Sequence, residues 1–206
     1  MSALEADFAD LFDGDPDQLG TRAGALRTAA AAIGRATEAL TALVDGQQSQ
    51  AIDAISSIAE DTSSSLRQAE ARYVGTAGAL QTFAIELAPI QSTARAAIST
   101  ADYYESRTYR IEADIHDNQI AITRAEAAGI PTDDLWDQYR HLNTQLGSAA
   151  QTVEDARRTL LRARDDIRSA ADRAIASIDT AIADGADSFA DDWNQFWAGV
   201  GDVFSA

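Results

Sequence analysis

The sequence contains no cysteine and no lysine, and it has only three prolines among 206 residues. Without cysteine, the chain can form neither a disulfide bond nor a thiolate metal site. Aromatic residues make up only 7% of the chain, whereas alanine, the strongest helix former, occupies 44 positions. The near absence of proline lets long helices run without interruption. These features predict an all-α protein whose helices meet along narrow seams of small side chains.

The charge is strongly one-sided, because 33 acidic residues outnumber 16 arginines and give a formal net charge of −17. Such a surface repels phosphate backbones, so we do not expect nucleic acid as a partner. The N-terminus is acidic and lacks the basic and apolar regions of a cleavable signal peptide. No apolar run is long enough to span a membrane. We therefore expect a protein that is made in the cytoplasm and, if exported, is secreted without a cleavable signal peptide.

Apolar residues at alternating intervals of three and four predict coiled-coil helices. The first run predicts a helix over about 16–44, with Asp15 as its N-cap and Gly46 as its stop. The second run keeps its phase throughout, so we expect one long central helix over about 47–128. The middle of its apolar seam is Tyr73, Thr76, Leu80, Phe83, Leu87 and Ile90. Pro89 lies off the apolar seam of this helix and should kink the helix rather than end it.

A glycine- and proline-containing turn at 129–133 precedes the third run, which predicts a helix over about 133–186. Antiparallel pairing through the two turns then gives an elongated helical coiled coil, in which the two flanking helices cover the long central one. The helical rise makes this rod on the order of 120 Å long. The alternative is a compact four-helix bundle, which requires the central helix to break at Pro89 or at its glycines.

The same pairing brings parts of the chain together at Tyr73–Gly78. A turn near residue 46 sets residue 19 beside about residue 73, and a turn near residue 131 sets residue 187 beside about residue 75. Gly75 and Gly78 each weaken a helix by about 1 kcal/mol relative to alanine. Because the helix is otherwise rich in alanine, these glycines predict a close approach by another backbone.

Aromatic residues are concentrated at the two ends of the chain and are scarce along the seams. We expect a short amphipathic N-terminal segment over 1–14, a helical rod over 15–187 and an aromatic C-terminal segment over 188–206. Leu4, Phe8, Leu11 and Phe12 share one face of the N-terminal segment. Both end segments are expected to pack at Tyr73–Gly78 or to bind another protein.

Two groups of residues have some character of a metal site. Asp13–Asp17 resembles the start of an EF-hand loop, but Gln18 and Gly24 stand where that loop needs glycine and glutamate. His116 and His141 are the only histidines, and no Glu-x-x-His pair accompanies them. There is no cysteine nucleophile and no serine in a strand-to-helix elbow. We therefore expect no metal, no cofactor and no enzymatic activity.

The stretch SSLRQAEARYVGTAGAL, residues 64–80, resembles the second-helix region of type VII secretion substrates. It looks like the WXG-like N-terminal domains of actinobacterial polymorphic toxins, as do GDPDQL at 14–19 and WNQFW at 193–197. The resemblance implies a secretion-targeting domain, fused to a C-terminal toxin, that binds small helical WXG-like partners for the type VII secretion apparatus. We expect the partner contacts at Tyr73, Gly75, Gly78, Trp193, Phe196 and Trp197.

Three features depart from this family. Tyr73 stands where the family has tryptophan, and the predicted helix runs through Gly75, where short members form a hairpin. The usual export signal, a tyrosine followed four residues later by an acidic residue, is missing.

The alternative function is a structural scaffold or spacer that self-associates as a homo-oligomeric coiled coil.

Overall fold

The computed structural model describes residues 2–45 and 50–183. These residues are helical and include no β-strand. The elements are α1 (Ala3–Asp7), a 3-10 turn (Ala9–Phe12), α2 (Pro16–Asp45), α3 (Gln50–Ala127) and α4 (Asp133–Ala183). The all-α prediction and its three long helices are confirmed, and the central helix α3 packs against α2 and α4. Gly46 and residues 184–206 lie outside the described residues, and the predicted length of the rod stays a prediction.

The ends of the helices follow from local chemistry. Asp15 caps α2, because its Oδ1 accepts hydrogen bonds of 2.9 and 3.2 Å from the next backbone N–H groups of the first turn. After α3, Gly129 adopts a left-handed φ of 66°. The N–H of Ile130 then donates to the carbonyl of Ala125 at 2.9 Å, as in a Schellman motif.

Helix α3 runs for 78 residues and contains Pro89 in its interior. It continues through Gly75 and Gly78 as well, so Gly75 is a helix-interior residue rather than a hairpin. The break that a four-helix bundle requires is therefore absent from Gln50–Ala127, and the prediction that Pro89 does not end the helix is confirmed.

The contacts divide the chain into two compact units. Unit 1 takes its described residues from 2–11 and 90–165, and unit 2 takes its described residues from 12–45, 50–89 and 166–183. In α3, the boundary between the units falls directly after Pro89. The predicted division into an N-terminal segment, a rod and a C-terminal segment follows chain order and stays a prediction.

The core of unit 2 is shared by its three long helices. Each helix contributes both large apolar side chains and alanines to this core. Its buried residues are Leu19, Ala23, Ala79, Leu80, Phe83, Ala84, Leu87, Ala170, Ala171, Ala174 and Ile178. Most of these residues lie on the predicted seams, because the apolar positions of a heptad are the ones that face the partner helix.

The register of α2 on α3 differs from the prediction. Leu19 lies in one cluster with Leu80 and Phe83 rather than beside residue 73, and Arg27 donates a hydrogen bond to Gln81 at 3.4 Å. The predicted register assumed the shortest turn. The observed register instead places Leu19 in one buried cluster with Leu80, Phe83 and Leu87. A large apolar side chain contributes about 1.5–3 kcal/mol when it is fully buried.

The register of α4 on α3 is close to the prediction. Gly75 lies against Ala181, whereas the predicted neighbour was residue 187, less than two helical turns away. The end of α4 therefore reaches Tyr73–Gly78 as expected, but the start of α2 does not. Pro16 and Asp17 instead lie beside α3 residues in the range 81–88.

A second buried stripe on α3 is the feature that the single-seam prediction missed. Its members recur at multiples of seven residues, one position after the predicted seam. They are Ser63, Ala77, Ala84, Gln91 and Ile98. In unit 2 this stripe meets the start of α2, where Ala84 faces the first turn. In unit 1 it meets the N-terminal segment, whose Leu11 carbonyl accepts a hydrogen bond from Gln91.

Unit 1 pairs the second half of α3 with the first part of α4. Ile111 on α3 is buried in one cluster with Leu142 and Ala149 on α4. The N-terminal segment lies in this unit, with Leu4, Phe8 and Leu11 buried as the shared-face prediction requires. The expected position of this segment at Tyr73–Gly78 is wrong, because the second buried stripe of α3 offers it a partner at Gln91 instead.

Candidate partner-binding surface

The close approach predicted at Gly75 is present, and it comes from the same chain. A Cβ atom built on Gly75 would overlap the Cβ of Ala181 in α4. Only glycine allows the two helix backbones to come this near. Tyr73, two residues earlier, is half-buried. This part of the predicted site therefore serves the packing of unit 2.

Gly78 has a different environment, although it lies in the same helix. A Cβ atom built on Gly78 would meet no atom within 4 Å. Packing among the described residues therefore does not require a glycine here. Gly78 lowers the stability of the helix by about 1 kcal/mol relative to alanine. No packing contact in the described part of the chain offsets this loss.

Gly78 lies on a row of α3 residues that we call the outer stripe. Its positions are spaced alternately by four and three residues. They are Val74, Gly78, Gln81, Ile85 and Ala88. Val74 is 53% exposed and Ile85 is 64% exposed, which is unusual for large apolar side chains at helix-contact spacing. The outer stripe therefore has the pattern of a helix-packing seam that remains open.

A shallow groove of about 560 Å³ continues the outer stripe toward α2. The α2 side of this groove is lined by Pro16, Asp17, Gly20 and Thr21. A Cβ atom on Gly20, or on Gly24 one turn later, would meet nothing within 4 Å. Gly20 on the α2 side, and Ala84 and Ala88 on the α3 side, are small residues at which a further helix could approach closely.

The sequence prediction included Gly78 but missed Val74, Ile85 and the α2 glycines. The signal for Val74 and Ile85 is a spacing of four and then three residues that starts at Val74 and passes through Gly78. The predicted anchors Trp193, Phe196 and Trp197 lie outside the described residues, and their part in the site stays a prediction.

One buried polar group lies beside this surface. Thr76 is only 1% exposed, and its hydroxyl oxygen has no hydrogen-bond partner among the described residues. It occupies a seam position between the two predicted glycines. An unpaired buried hydroxyl costs about 1–3 kcal/mol.

The residues that resembled metal ligands have other roles or lie in solvent. Asp15 caps α2, and His141 is exposed and contacts Gln145. His116 is exposed too. Over residues 2–45 and 50–183, no three or more histidine or acidic side chains are grouped so that they could hold a metal ion.

No helix in the described part of the chain combines the length and the apolar character that a membrane crossing needs. No protein-family model matches the chain, and neither the curated proteins nor the solved structures include a match to it.

Proposed function

We propose that this chain is a non-catalytic adaptor that binds small helical partner proteins and targets a fused antibacterial toxin for type VII secretion. The observation that carries the binding part is Gly78, an open glycine in the middle of a long helix. It lies between the exposed side chains of Val74 and Ile85. A partner helix seated on Gly78 would compensate for the helix stability that this glycine loses.

The geometry suits a helix better than a loop or a flat surface. Val74, Gly78 and Ile85 repeat at the three-four spacing with which one helix packs on another. The missing side chain at Gly78 leaves a gap in the row between Val74 and Gln81, into which a partner side chain can insert. Burying the exposed parts of Val74 and Ile85 would add favourable apolar area at about 25 cal/mol per Å².

The chemistry of the partner follows from the charge around the stripe. Asp17 lines the end of the groove, and the whole chain carries a formal charge of −17. A partner helix with a narrow apolar face and flanking basic residues therefore complements this surface. Packing supplies most of the affinity, and charge supplies orientation and association rate.

The secretion part of the proposal rests on the resemblance of residues 64–80 to type VII secretion substrates. That stretch contains Val74 and Gly78, so the outer stripe and the resembling segment overlap at these two residues. The partners are then the small WXG-like proteins, and the destination is the type VII secretion apparatus.

The test is co-expression with the small open reading frames that neighbour this gene, followed by size-exclusion chromatography. We expect one or two of their products to co-elute with the wild-type chain. Gly78→Leu should abolish co-elution while the circular dichroism spectrum stays helical. Gly147→Leu is the matched control, because Gly147 is also an open glycine of a long helix but belongs to unit 1 and is not part of the outer stripe.

The alternative, a self-associating scaffold, gives a different result in the same experiment. In that case no neighbouring product co-elutes, and the wild-type chain elutes as a homo-oligomer that Gly78→Leu dissociates. A wild-type chain that remains a monomer in the presence of every neighbouring product would exclude both functions for the outer stripe.

A further inference from the structure

Residues 2–11 of the N-terminal segment lie in unit 1, as a short amphipathic helix followed by most of a 3-10 turn. Ser2 and Glu5 form a capping box at its start, with hydrogen bonds of 3.1 and 3.3 Å. Its helix α1 has only five residues, too few to be stable alone in water. The surface that receives the segment therefore determines its conformation.

The apolar contacts of the segment come from one face. Leu4, Phe8 and Leu11 are 5%, 4% and 2% exposed. These three side chains follow the intervals of four and three residues by which an amphipathic helix is recognised in a groove. Because all three are large apolar side chains that are almost fully buried, they are the anchors of the segment.

The polar contacts come from residues far away in the sequence. Arg164 of α4 donates to both carboxylate oxygens of Asp10 at 2.7 and 2.6 Å, and it donates to the backbone carbonyl of Asp7 at 3.0 Å. The Arg164 guanidinium also lies over the Phe8 ring, 4.7 Å from its centroid. Arg157 adds a weaker ion pair with Asp7 at 3.9 Å. The hydrogen bond with Asp10, opposed by partial burial, raises the pKa of the Arg164 guanidinium.

A buried amide completes the surface. Gln91 is only 2% exposed, and its Nε2 donates a 3.1 Å hydrogen bond to the carbonyl of Leu11. Burying the polar amide of a glutamine costs free energy unless the amide is hydrogen-bonded. This side chain binds the main chain of whatever segment lies on it, since every residue offers a carbonyl.

We propose that the surface formed by Gln91, Arg157 and Arg164 in unit 1 is a binding site for a short acidic amphipathic helix of a partner protein. The chain's own N-terminal segment occupies this site as a competing ligand. The partner helix carries leucine, phenylalanine and leucine in place of Leu4, Phe8 and Leu11, and a carboxylate in place of Asp10. This second surface is separate from the outer stripe and does not depend on the adaptor function.

Charge complementarity identifies the partner as acidic. In a chain with a formal charge of −17, two arginines of α4 converge on the carboxylates of one short segment. The bidentate contact of Arg164 with Asp10 has the planar geometry by which arginine recognises carboxylates. A basic helix would place like charges together here.

The test uses the full chain, which has no cysteine of its own. A Leu4→Cys substitution places one thiol under the N-terminal segment, where a thiol reagent reaches it only when the segment opens. An excess of a free, cysteine-free peptide of residues 1–14 should capture the open site. We expect labelling to accelerate roughly tenfold when the peptide is present at ten times its dissociation constant.

Three controls make the result specific. Ala150→Cys, on an exposed part of α4, gives the labelling rate of an unprotected thiol. A peptide with Phe8→Ala and Asp10→Asn should produce no acceleration. Arg164→Gln in the chain should raise the rate without peptide and remove most of the response to it. Leu11→Cys serves as a second reporter if Leu4→Cys alters the fold.

Two outcomes would overturn the proposal. In the first, millimolar peptide leaves the labelling rate unchanged, although the Arg164→Gln substitution raises that rate. The segment would then open without exposing a site that binds the peptide. The other is Leu4→Cys reacting as fast as Ala150→Cys without peptide, because the site is then not occupied by the segment.

Discussion

Gly75 and Gly78 are three residues apart in α3, and they give opposite predictions for the same substitution. Gly75→Ala would force a methyl group into the Cβ of Ala181, so we expect the free energy of unfolding to fall by about 1–3 kcal/mol. Gly78→Ala has open space and should raise it by about 1 kcal/mol through helix propensity. Urea unfolding followed by circular dichroism measures both changes.

Gly147→Ala is the control for Gly78→Ala, since it is also an open helical glycine and should raise stability by a similar amount. If Gly78→Ala destabilised the isolated chain, Gly78 would already have a structural role. Its presence would then not indicate a binding surface at the outer stripe. Retained stability together with weaker partner binding would be the signature of a glycine kept for binding.

The buried hydroxyl of Thr76 gives a second prediction at this scale. Thr76→Val replaces the unpaired hydroxyl with a methyl group of similar size, and both residues are β-branched. We expect the free energy of unfolding to rise by about 1 kcal/mol, because no hydrogen bond is lost. The control is Thr62→Val, where the hydroxyl donates to the carbonyl of Ile58 at 2.7 Å. A loss of stability in Thr76→Val would mean that the hydroxyl has a partner in solution.

Helix α3 buries two rows of residues rather than one. The seam predicted from Leu80, Phe83 and Leu87 is confirmed, because these side chains are buried. The row containing Ala84 and Gln91 was not predicted, since a heptad interpretation assigns a helix one partner face. Alanine also gives no signal of its own, because it is as common on exposed helix faces as on buried ones. Gln91 could not be identified as buried, since its burial depends on a carbonyl 80 positions away.

Pro89 gives a prediction at the scale of one element. It lies inside α3, where it cannot donate a hydrogen bond to the carbonyl four residues earlier. Pro89→Ala should therefore raise the free energy of unfolding by about 1–3 kcal/mol, as measured by urea unfolding. Pro131→Ala, in the turn between α3 and α4, is the control and should be neutral or slightly destabilising, because that proline is compatible with its turn. A lower stability in Pro89→Ala would show that the proline itself contributes packing.

The charge of the whole molecule gives a prediction that no single contact gives. The ion pair of Arg173 with Glu86 lies at the surface, where such pairs contribute about 0–1 kcal/mol. A formal charge of −17 repels itself throughout the chain. We therefore expect the melting temperature to rise by several degrees between low salt and about 0.15 M NaCl, as repulsion is screened.

The matched variant for this experiment is Glu112→Gln, Asp114→Asn and Asp117→Asn, which neutralises three exposed carboxylates of α3. It should melt at a higher temperature in low salt and gain less from added NaCl. A wild-type melting temperature that falls with salt would mean that the ion pairs outweigh the repulsion.

For the molecule as a whole, the sequence predicted the helices and their antiparallel order, because these depend on local periodicity and turn residues. The register of α2 was not predictable from its turn, since it depends on the buried cluster that Leu19 forms with Leu80 and Phe83. The candidate site was predicted in part. Gly75 and Gly78 were identified by their cost to an alanine-rich helix, but only the structure distinguishes the filled position from the open one.

The antiparallel arrangement of α4 on α3 determines how unit 2 responds to mechanical load. A pull on the chain after Ala183 acts at the end of α4 that lies against Gly75. When the opposing force holds α3 near Gly75, the contacts part in sequence, from Ala181 to Ile178 and Ala174, instead of rupturing together in shear. Because several of them are the size of an alanine, each step needs little work, and α4 can be drawn away from this end by a small, steady force.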